Sequence, residues 1–133
     1  MAVVRFGVSL EKNLLDALDT YASDNHFANR SQAIRNLINN HLVTQKWQCD
    51  NLVAGSITLM YNHHKNDLLS TLNDVQHNYH QAILSSQHFH LDHDNCMEII
   101  AVKGIASQLT ELADKLIAVK GVKHGKLTMS RAD

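Results

Sequence analysis

The pattern of hydrophobic and polar positions changes from alternation to helical spacing within the first fifty residues. Every second residue is apolar near the start of the chain, namely Val4, Phe6, Val8 and Leu10. This alternation predicts a half-buried strand from Val3 to Leu10. Apolar residues three and four apart then predict two helices, from Leu10 to Ser23 and from Ser31 to Leu42, with Ser9 and Ser31 as their N-caps.

A strand and two helices of this length bury too little apolar surface to be stable alone. Two copies of the chain would solve this by pairing their strands antiparallel, with Arg5, Gly7 and Ser9 on the outer face of the ribbon. Such a ribbon fits the major groove of DNA, where arginine can contact guanine. The start of the second helix, near Arg30 and Ser31, offers backbone N–H groups to phosphate. The alternative is a dimerisation strand with a solvated outer face.

The segment from His41 to Asn51 loses the helical spacing and becomes polar, which indicates a domain boundary. We therefore expect a DNA-binding and dimerisation domain over residues 1–45, a linker over 46–51 and a second domain over 52–133. Cys49 lies in this link without a histidine nearby in the sequence, and we expect it to take no part in a site.

The second half of the chain predicts the order βαββαβ, an α+β arrangement of the ferredoxin-like type with helices on one face of an antiparallel sheet. The remaining sheet face needs cover, so association through this domain is expected. The predicted strands are Leu52–Tyr61, Ile83–Leu91, Cys96–Lys103 and Val122–Met129, and the predicted helices are His63–His80 and Ile105–Val119.

The stretch with the strongest chemical signature is QHFHLDHDNC, which holds three histidines and one of the two cysteines of the chain. It is typical of two strands joined by a tight turn. In that register His90 lies opposite Cys96, and His88 lies opposite Glu98, all on one face. Two imidazoles and a thiolate then converge on a metal site that lacks a fourth ligand. The alternative is a polar hairpin that happens to contain histidines.

His77 and His80 share a helix face just before this hairpin, and either could supply the fourth ligand. Three imidazoles and a thiolate suit tetrahedral zinc, or nickel(II) or copper(II) in a planar field, and the sequence does not choose among them. Glu98 is placed to accept a hydrogen bond from a ligand imidazole.

The composition narrows the class of protein. A formal net charge of −1 argues against a protein that coats nucleic acid through bulk positive charge, although local charge can still bind DNA. No apolar run approaches the roughly 20 residues that cross a bilayer, and the N-terminus lacks the pattern of a signal peptide. We expect a cytoplasmic protein without membrane association. Two cysteines make no disulfide framework in such a compartment, so a lone cysteine beside histidines, as Cys96 is, is better explained as a metal ligand or a nucleophile.

The first strand, LLDALD and NRSQAIR resemble the ribbon-helix-helix DNA-binding domains of the MetJ, Arc and CopG type. Over almost the whole chain, NRSQAIR, QHNYH, HFHLDHDNC followed by MEI, VKG and GVKHG resemble the nickel-responsive transcription regulators, the NikR family. That resemblance implies a ribbon-helix-helix domain joined to a ferredoxin-like, ACT-like regulatory domain. It also implies a homotetramer, built as a dimer of dimers, that binds one nickel ion per chain and a double-stranded DNA operator, as a repressor of metal-uptake genes.

Carried over residue by residue, the resemblance gives a planar nickel site and a DNA-binding face. The implied metal ligands are His88, His90 and Cys96 of one chain and His77 of another. The implied auxiliary metal residues, to which the hairpin pattern adds Glu98, are His63, His80 and His93. The implied DNA-binding residues are Arg5, Gly7, Ser9, Arg30, Ser31 and Lys65.

This chain departs from the family pattern at four positions. Gly7 stands where the family often has a hydroxyl residue, which removes or replaces one base contact. Gln32 and Asn36 stand where acidic residues help to hold a cation between the two domains of the resembled proteins, so that cation site is not expected here. Asn66 replaces the second residue of a basic pair, which weakens a contact with the DNA backbone.

Two further classes of function remain open from the residues alone. The first is a ribbon-helix-helix regulator that responds to copper, cobalt, zinc or a small molecule. The second is a small metalloenzyme with an open coordination position, which is disfavoured because no serine or carboxylate is placed as a general base and four ligands already fill the metal.

Overall fold

The computed structural model describes residues 2–133, which divide into two compact units, one that ends at His41 and one over Leu42–Asp133. No helix within residues 2–133 is long and apolar enough to cross a bilayer. The elements, in chain order, are α1 (Lys12–Asp24), α2 (Arg30–Gln48), β1 (Leu52–Asn62), α3 (Leu68–His77), β2 (Ile83–His90), β3 (Asn95–Ile105), α4 (Ala106–Ile117) and β4 (Val122–Arg131).

The strand predicted from Val3 to Leu10 is absent, because residues 2–10 form neither helix nor strand in this single chain. A β-strand needs a neighbour to pair its backbone N–H and C=O groups. The apolar side chains of the alternating pattern therefore remain in solvent, with Val4 84% exposed and Phe6 75% exposed.

Both predicted N-caps are wrong. Helix α1 begins after Glu11, two residues later than a Ser9 cap requires, and Glu11 makes no side-chain capping bond. Helix α2 begins one residue before Ser31, because the side-chain oxygen of Asn29 accepts the N–H of Gln32 at 2.9 Å. An amide side chain therefore satisfies the free N–H that a serine was expected to satisfy.

Helix α2 continues through the predicted boundary to Gln48, so the expected linker over 46–51 is helical in its first three residues. The cause is burial of Trp47, which is 8% exposed within the core of the second unit. Its indole N–H donates to the carbonyl of Ser130 at 2.9 Å. Val43, one helical turn earlier, packs against the same core. Cys49, just beyond, is exposed.

The second unit has the predicted α+β architecture, with one antiparallel sheet in the order β2-β3-β1-β4. Alternate residues of β1 and β3 point to one face, and α3 and α4 pack on that face. The core between sheet and helices is fully buried, and it includes Ile57, Leu59, Ile100, Leu109, Leu112 and Leu116. Near the turn between β2 and β3, the same face of the sheet carries the polar residues of this hairpin.

Within the first unit, a two-bond ion pair joins α1 to the start of α2. The Nε and one terminal nitrogen of Arg30 donate to the two carboxylate oxygens of Asp19 at 2.8 and 2.9 Å. This hydrogen bond is the main cause that lowers the pKa of Asp19 below its usual value. Planar pairing of this kind is the geometry in which a guanidinium binds a carboxylate most strongly.

We predict that the carboxyl group of Asp19 titrates below its ordinary value of 3.8, as measured by NMR of the side-chain carbon. A carboxyl group whose pKa is lowered by folding stabilises the fold above its unfolded pKa, and that contribution is lost as the pH falls through the folded pKa. Replacement Arg30→Gln should return the pKa of Asp19 toward 3.8, whereas Arg35→Gln should leave it unchanged. An unshifted pKa in the original chain would contradict the ion pair.

Candidate metal centre

The hairpin of β2 and β3 has the predicted register. His88 pairs with Glu98 and His90 pairs with Cys96 across the two strands. The side chains of such pairs lie on the same face of the sheet, so the two imidazoles and the thiol share one face of the hairpin. The carboxylate of Asp92 fixes the turn, because it accepts the backbone N–H groups of Asp94 and Asn95 at 2.9 and 2.8 Å, as aspartate in an Asx turn does.

Three of the predicted ligands line one cavity of about 290 Å³ between the hairpin, the end of β1 and α3. Cys96 on β3 is buried, whereas the two histidines on β2, His88 and His90, are exposed. The lining of the cavity is Tyr61, His63, Leu69, Asn73, His88, His90 and Cys96. Imidazoles and one thiolate around a space of this size form a donor set that suits a transition-metal ion.

Glu98 is the one charged residue buried among residues 2–133, at 1% exposed. Its two carboxylate oxygens accept hydrogen bonds from the hydroxyl of Tyr61 at 2.8 Å and from the amide of Gln76 at 3.0 Å. Burial, followed by the hydrogen bond to Glu98, raises the pKa of Tyr61, so this phenol stays protonated and remains a donor.

The same hydroxyl lies 3.2 Å from Nδ1 of His88, while that nitrogen is 3.8 Å from the carboxylate of Glu98. Tyr61 therefore stands between the predicted ligand and the predicted acceptor. Sequence reasoning placed Glu98 beside the ligands but missed Tyr61 and Gln76, because both reach the site from other elements of the fold.

His77 does not line the cavity of its own chain. It lies at the end of α3 with its ring stacked on the ring of His80, at 5.9 Å between centroids. Both histidines are exposed, and His80 contacts the backbone carbonyl of His77 through Nδ1 at 3.0 Å. Within one chain, three of the four predicted ligands line the cavity, and the fourth is exposed outside it.

Four histidines form a continuous row beside the cavity. The ring centroids of His90 and His63 are 5.0 Å apart, those of His63 and His64 are 4.0 Å apart, and those of His64 and His93 are 5.3 Å apart. Burial is the first cause that lowers the pKa of His63, followed by the charges of its histidine neighbours. A neutral imidazole is the form that binds metals.

Within residues 2–133, one set of three donor side chains has its ligand atoms within 4.8 Å of one another, and it is His64, His93 and Asp94. The predicted set of His88, His90 and Cys96 does not form such a close group. His64 and Asp94 were not predicted from the sequence as metal ligands. The signals that could have identified them are two adjacent pairs, His63 with His64 after β1 and His93 with Asp94 in the turn.

The predicted DNA-binding residues of the first unit differ in their availability. Arg5, Gly7 and Ser9 lie in the exposed segment before α1, and a side chain at position 7 would meet no atom within 4 Å. Ser31 is exposed in the first turn of α2. Arg30 is instead engaged with a carboxylate of α1.

Lys65, the predicted DNA-binding residue of the second unit, lies in the segment between β1 and α3. It is exposed there, and it lines a surface depression together with Lys120.

The amides that replace acidic residues in α2 form hydrogen bonds within the first unit. The side-chain oxygen of Gln32 accepts the N–H of Ala28 at 2.7 Å. The side-chain oxygen of Asn36 accepts hydrogen bonds from the hydroxyl of Tyr21 and, at 3.3 Å, from the amide of Asn40. Neutral oxygens with such partners are poorer cation ligands than free carboxylates.

These features define a class of protein: a small α+β domain that carries a cluster of histidines and one cysteine at the turn end of a β-hairpin. Residues 54–130 match the model of the NikR C-terminal nickel-binding domain. The match covers more than half of the chain, and the chain belongs to this family.

The full-length relatives extend the match into the first unit. The chain is 50% identical over 128 residues to a protein of Syntrophus aciditrophicus, covering 96% of this chain and 93% of that one. It is 48% identical over 131 residues to a protein of Pyrococcus furiosus, covering 98% and 95%. Both relatives are named as nickel-responsive regulators.

A solved structure supports the fold alone. The uncharacterized protein TM1266 from Thermotoga maritima superposes with a TM-score of 0.54 at 16% identity, over 59% of this chain and 98% of that one.

We predict that Tyr61→Phe lowers the free energy of unfolding by about 1–3 kcal/mol, because it leaves an oxygen of buried Glu98 without its donor. Urea denaturation of the metal-free protein measures this loss. Tyr79→Phe is the matched control, since its hydroxyl contacts the exposed Glu111, and it should cost much less. Equal losses in the two variants would show that Glu98 does not depend on the hydroxyl of Tyr61.

Proposed function

We propose that the chain is a nickel-responsive transcription regulator, not an enzyme, that binds a double-stranded DNA operator in the cytoplasm and represses metal uptake. The observation that carries this proposal is the cavity that His88, His90 and Cys96 line together. It occurs in a chain that belongs to a family with a nickel-binding domain. Because nickel controls the binding of DNA in this proposal, the metal centre is regulatory rather than catalytic.

The proposed ligand set is His88, His90 and Cys96 of one chain and His77 of another, with one nickel ion per chain. The absence of His77 from the cavity of its own chain, together with its exposure at the end of α3, supports a contribution to a neighbouring chain. Imidazoles and a thiolate suit nickel(II) in a planar field. All four donors must be deprotonated, so nickel affinity falls as the pH is lowered.

The bound ion would cross-link two chains. The contacts around its ligands determine which elements of this chain the cross-link would fix. Tyr61 orients His88, and Glu98 fixes Tyr61 while it also accepts from Gln76 of α3. Gln76 is adjacent to the ligand His77. Binding of nickel on both sides of α3 would favour one ordered position of this helix, because a ligand shifts a protein toward the conformation that it binds more tightly.

The DNA-binding part of the proposal rests on the first unit. Residues 2–10 expose apolar side chains at every second position, with Val8 58% exposed and Leu10 43% exposed. A second copy of the segment would bury these side chains in an antiparallel ribbon. Arg5, Gly7 and Ser9 would then line the outer face, in the position of residues that read bases in the major groove.

The contacts with phosphate are proposed for Ser31 and Arg30 at the start of α2, and for Lys65. Arg30 must share its guanidinium between Asp19 and phosphate, or exchange one for the other. Domains over residues 1–45 and 52–133 would then divide DNA binding from nickel binding, and two ribbon dimers would flank a tetrameric regulatory core.

We predict that Cys96→Ala abolishes nickel-dependent binding to operator DNA in a gel-shift or fluorescence-anisotropy assay, because a planar site cannot form without its thiolate. The nickel-loaded original chain should also show a thiolate-to-nickel absorption band that Cys96→Ala lacks. The matched control is Cys49→Ala, which removes an exposed thiol outside the cavity and should preserve both signals.

Undiminished nickel-dependent DNA binding by Cys96→Ala would overturn the proposed mechanism. His88→Ala provides a second test of the same site, since its side chain is exposed and its loss should spare the core. If binding to operator DNA required a metal other than nickel, the chain would still be a metal-responsive regulator, and only the identity of the metal would change.

A further inference from the structure

The ion pair between α1 and α2 engages one side of the guanidinium of Arg30. Asp19 accepts one hydrogen bond from Nε of Arg30 at 2.8 Å and one from a terminal nitrogen at 2.9 Å. A guanidinium has five N–H groups in a fixed plane, so three are not used by this pair. Two of the three, one on each terminal nitrogen, form a second fork that faces away from the carboxylate. Arg30 can therefore bind a second anion while Asp19 holds it.

The surroundings of Arg30 suit a phosphate group. The Arg30 side chain is 58% exposed, so a large ligand can reach it. Arg30 and Ser31 line the same groove as Ser9, which belongs to the predicted base-reading face. The first N–H groups of a helix have no acceptor within the helix, and the positive end of the helix dipole lies beside them. A planar arginine fork at such a position matches the geometry of phosphate oxygens.

We propose that Asp19 is a positioning residue for DNA binding, which holds Arg30 through one fork and so presents the second fork to a phosphate of the DNA backbone. This inference rests on the proposed function and specifies one of its contacts, because Arg30 then keeps both partners at once. An arginine that is already restrained loses less side-chain freedom on binding than a mobile one does. Asp19 itself would contact no DNA.

Asp19 has two opposing effects on DNA binding, which predict opposite results when its carboxylate is removed. As a negative charge it repels phosphate, so electrostatics alone predicts that Asp19→Ala binds DNA more tightly. As a positioning residue it restrains Arg30, so its removal weakens binding. The repulsion is the smaller effect, because the two-bond pair neutralises the carboxylate and salt screens exposed charges beyond about 8 Å at physiological ionic strength.

The test measures Kd by fluorescence anisotropy for nickel-loaded full-length variants, on a DNA duplex that the original chain selects from random sequences. Asp19→Ala should raise Kd about tenfold, because each ribbon dimer would lose the restraint on two arginines. The matched control is Asp16→Ala, which removes an exposed carboxylate of the same helix that pairs with Lys12 at 2.9 Å. It should change Kd by less than about twofold. An unchanged or lower Kd for Asp19→Ala would overturn the proposal.

The salt dependence of Kd separates positioning from a general loosening of the fold. Each phosphate contact adds about 0.9 to the slope of log Kd against log salt concentration. Asp19→Ala should flatten this slope, since Arg30 is no longer held on its phosphate. A loosened fold would raise Kd and leave the slope as it is in the original chain, and that result would contradict the positioning role.

Arg30→Lys tests the second fork while Asp19 and the positive charge both remain. A lysine ammonium is a point charge without a planar fork, so it cannot hold a carboxylate and a phosphate through two pairs of hydrogen bonds. Its Kd should rise about as much as that of Asp19→Ala. A Kd equal to that of the original chain would show that no second fork is used, and would overturn the proposal.

These measurements distinguish the role of Asp19 from the proposed function itself. If the original chain binds DNA in response to nickel and neither Asp19→Ala nor Arg30→Lys weakens that binding, Asp19 has no positioning role and the proposed regulator remains. If the original chain selects no duplex in the presence of nickel, both the positioning role and the proposed function are wrong.

Discussion

The pairing of β2 with β3 is the constraint on which the site depends. Side chains alternate between the two faces of a strand, so a slip of one residue in this register would move every ligand of β2 to the opposite face. With the observed register, His90 meets Cys96 and His88 meets Glu98 on the face that α3 covers. The carboxylate of Asp92 holds the turn between the two strands and thereby supports this register, although Asp92 is not one of the predicted metal ligands.

Burial of Glu98 follows from the same register and determines much of what surrounds the site. A carboxylate that is 1% exposed carries a large desolvation cost unless donors satisfy it. Tyr61 of β1 and Gln76 of α3 provide those donors. The sheet and α3 are therefore joined by a polar contact beside the predicted metal ligands, in addition to the apolar packing between them. A polar network of this kind rigidifies the position of His88, because its hydrogen bonds are directional.

The fold of the second unit could be predicted from the sequence because its strands and α4 carry strong local patterns. The partners that make the site rigid could not, since Tyr61 and Gln76 reach Glu98 from residues distant in the chain. The limits of the helices also depended on context: Asn29 replaced Ser31 as a cap, and burial of Trp47 extended α2 beyond the polar segment. The strand predicted before α1 did not form in the single chain, because an alternating pattern does not provide the neighbouring strand that a β-strand needs. The group of His64, His93 and Asp94 required two loops to meet.

Helix α3 is the element through which a metal could act over a distance. Within its own chain, Gln76 of this helix donates a hydrogen bond to the carboxylate of Glu98, while the next residue, His77, does not line the cavity. If His77 binds the metal of a neighbouring chain, two adjacent residues of α3 contact two different sites. Gln76 contacts the site of its own chain through Glu98, and His77 contacts the site of the neighbouring chain. Occupancy of one centre then favours the helix position that the other requires, and linkage makes this effect reciprocal. A cooperative response to nickel would thus arise from adjacent side chains rather than from a long pathway.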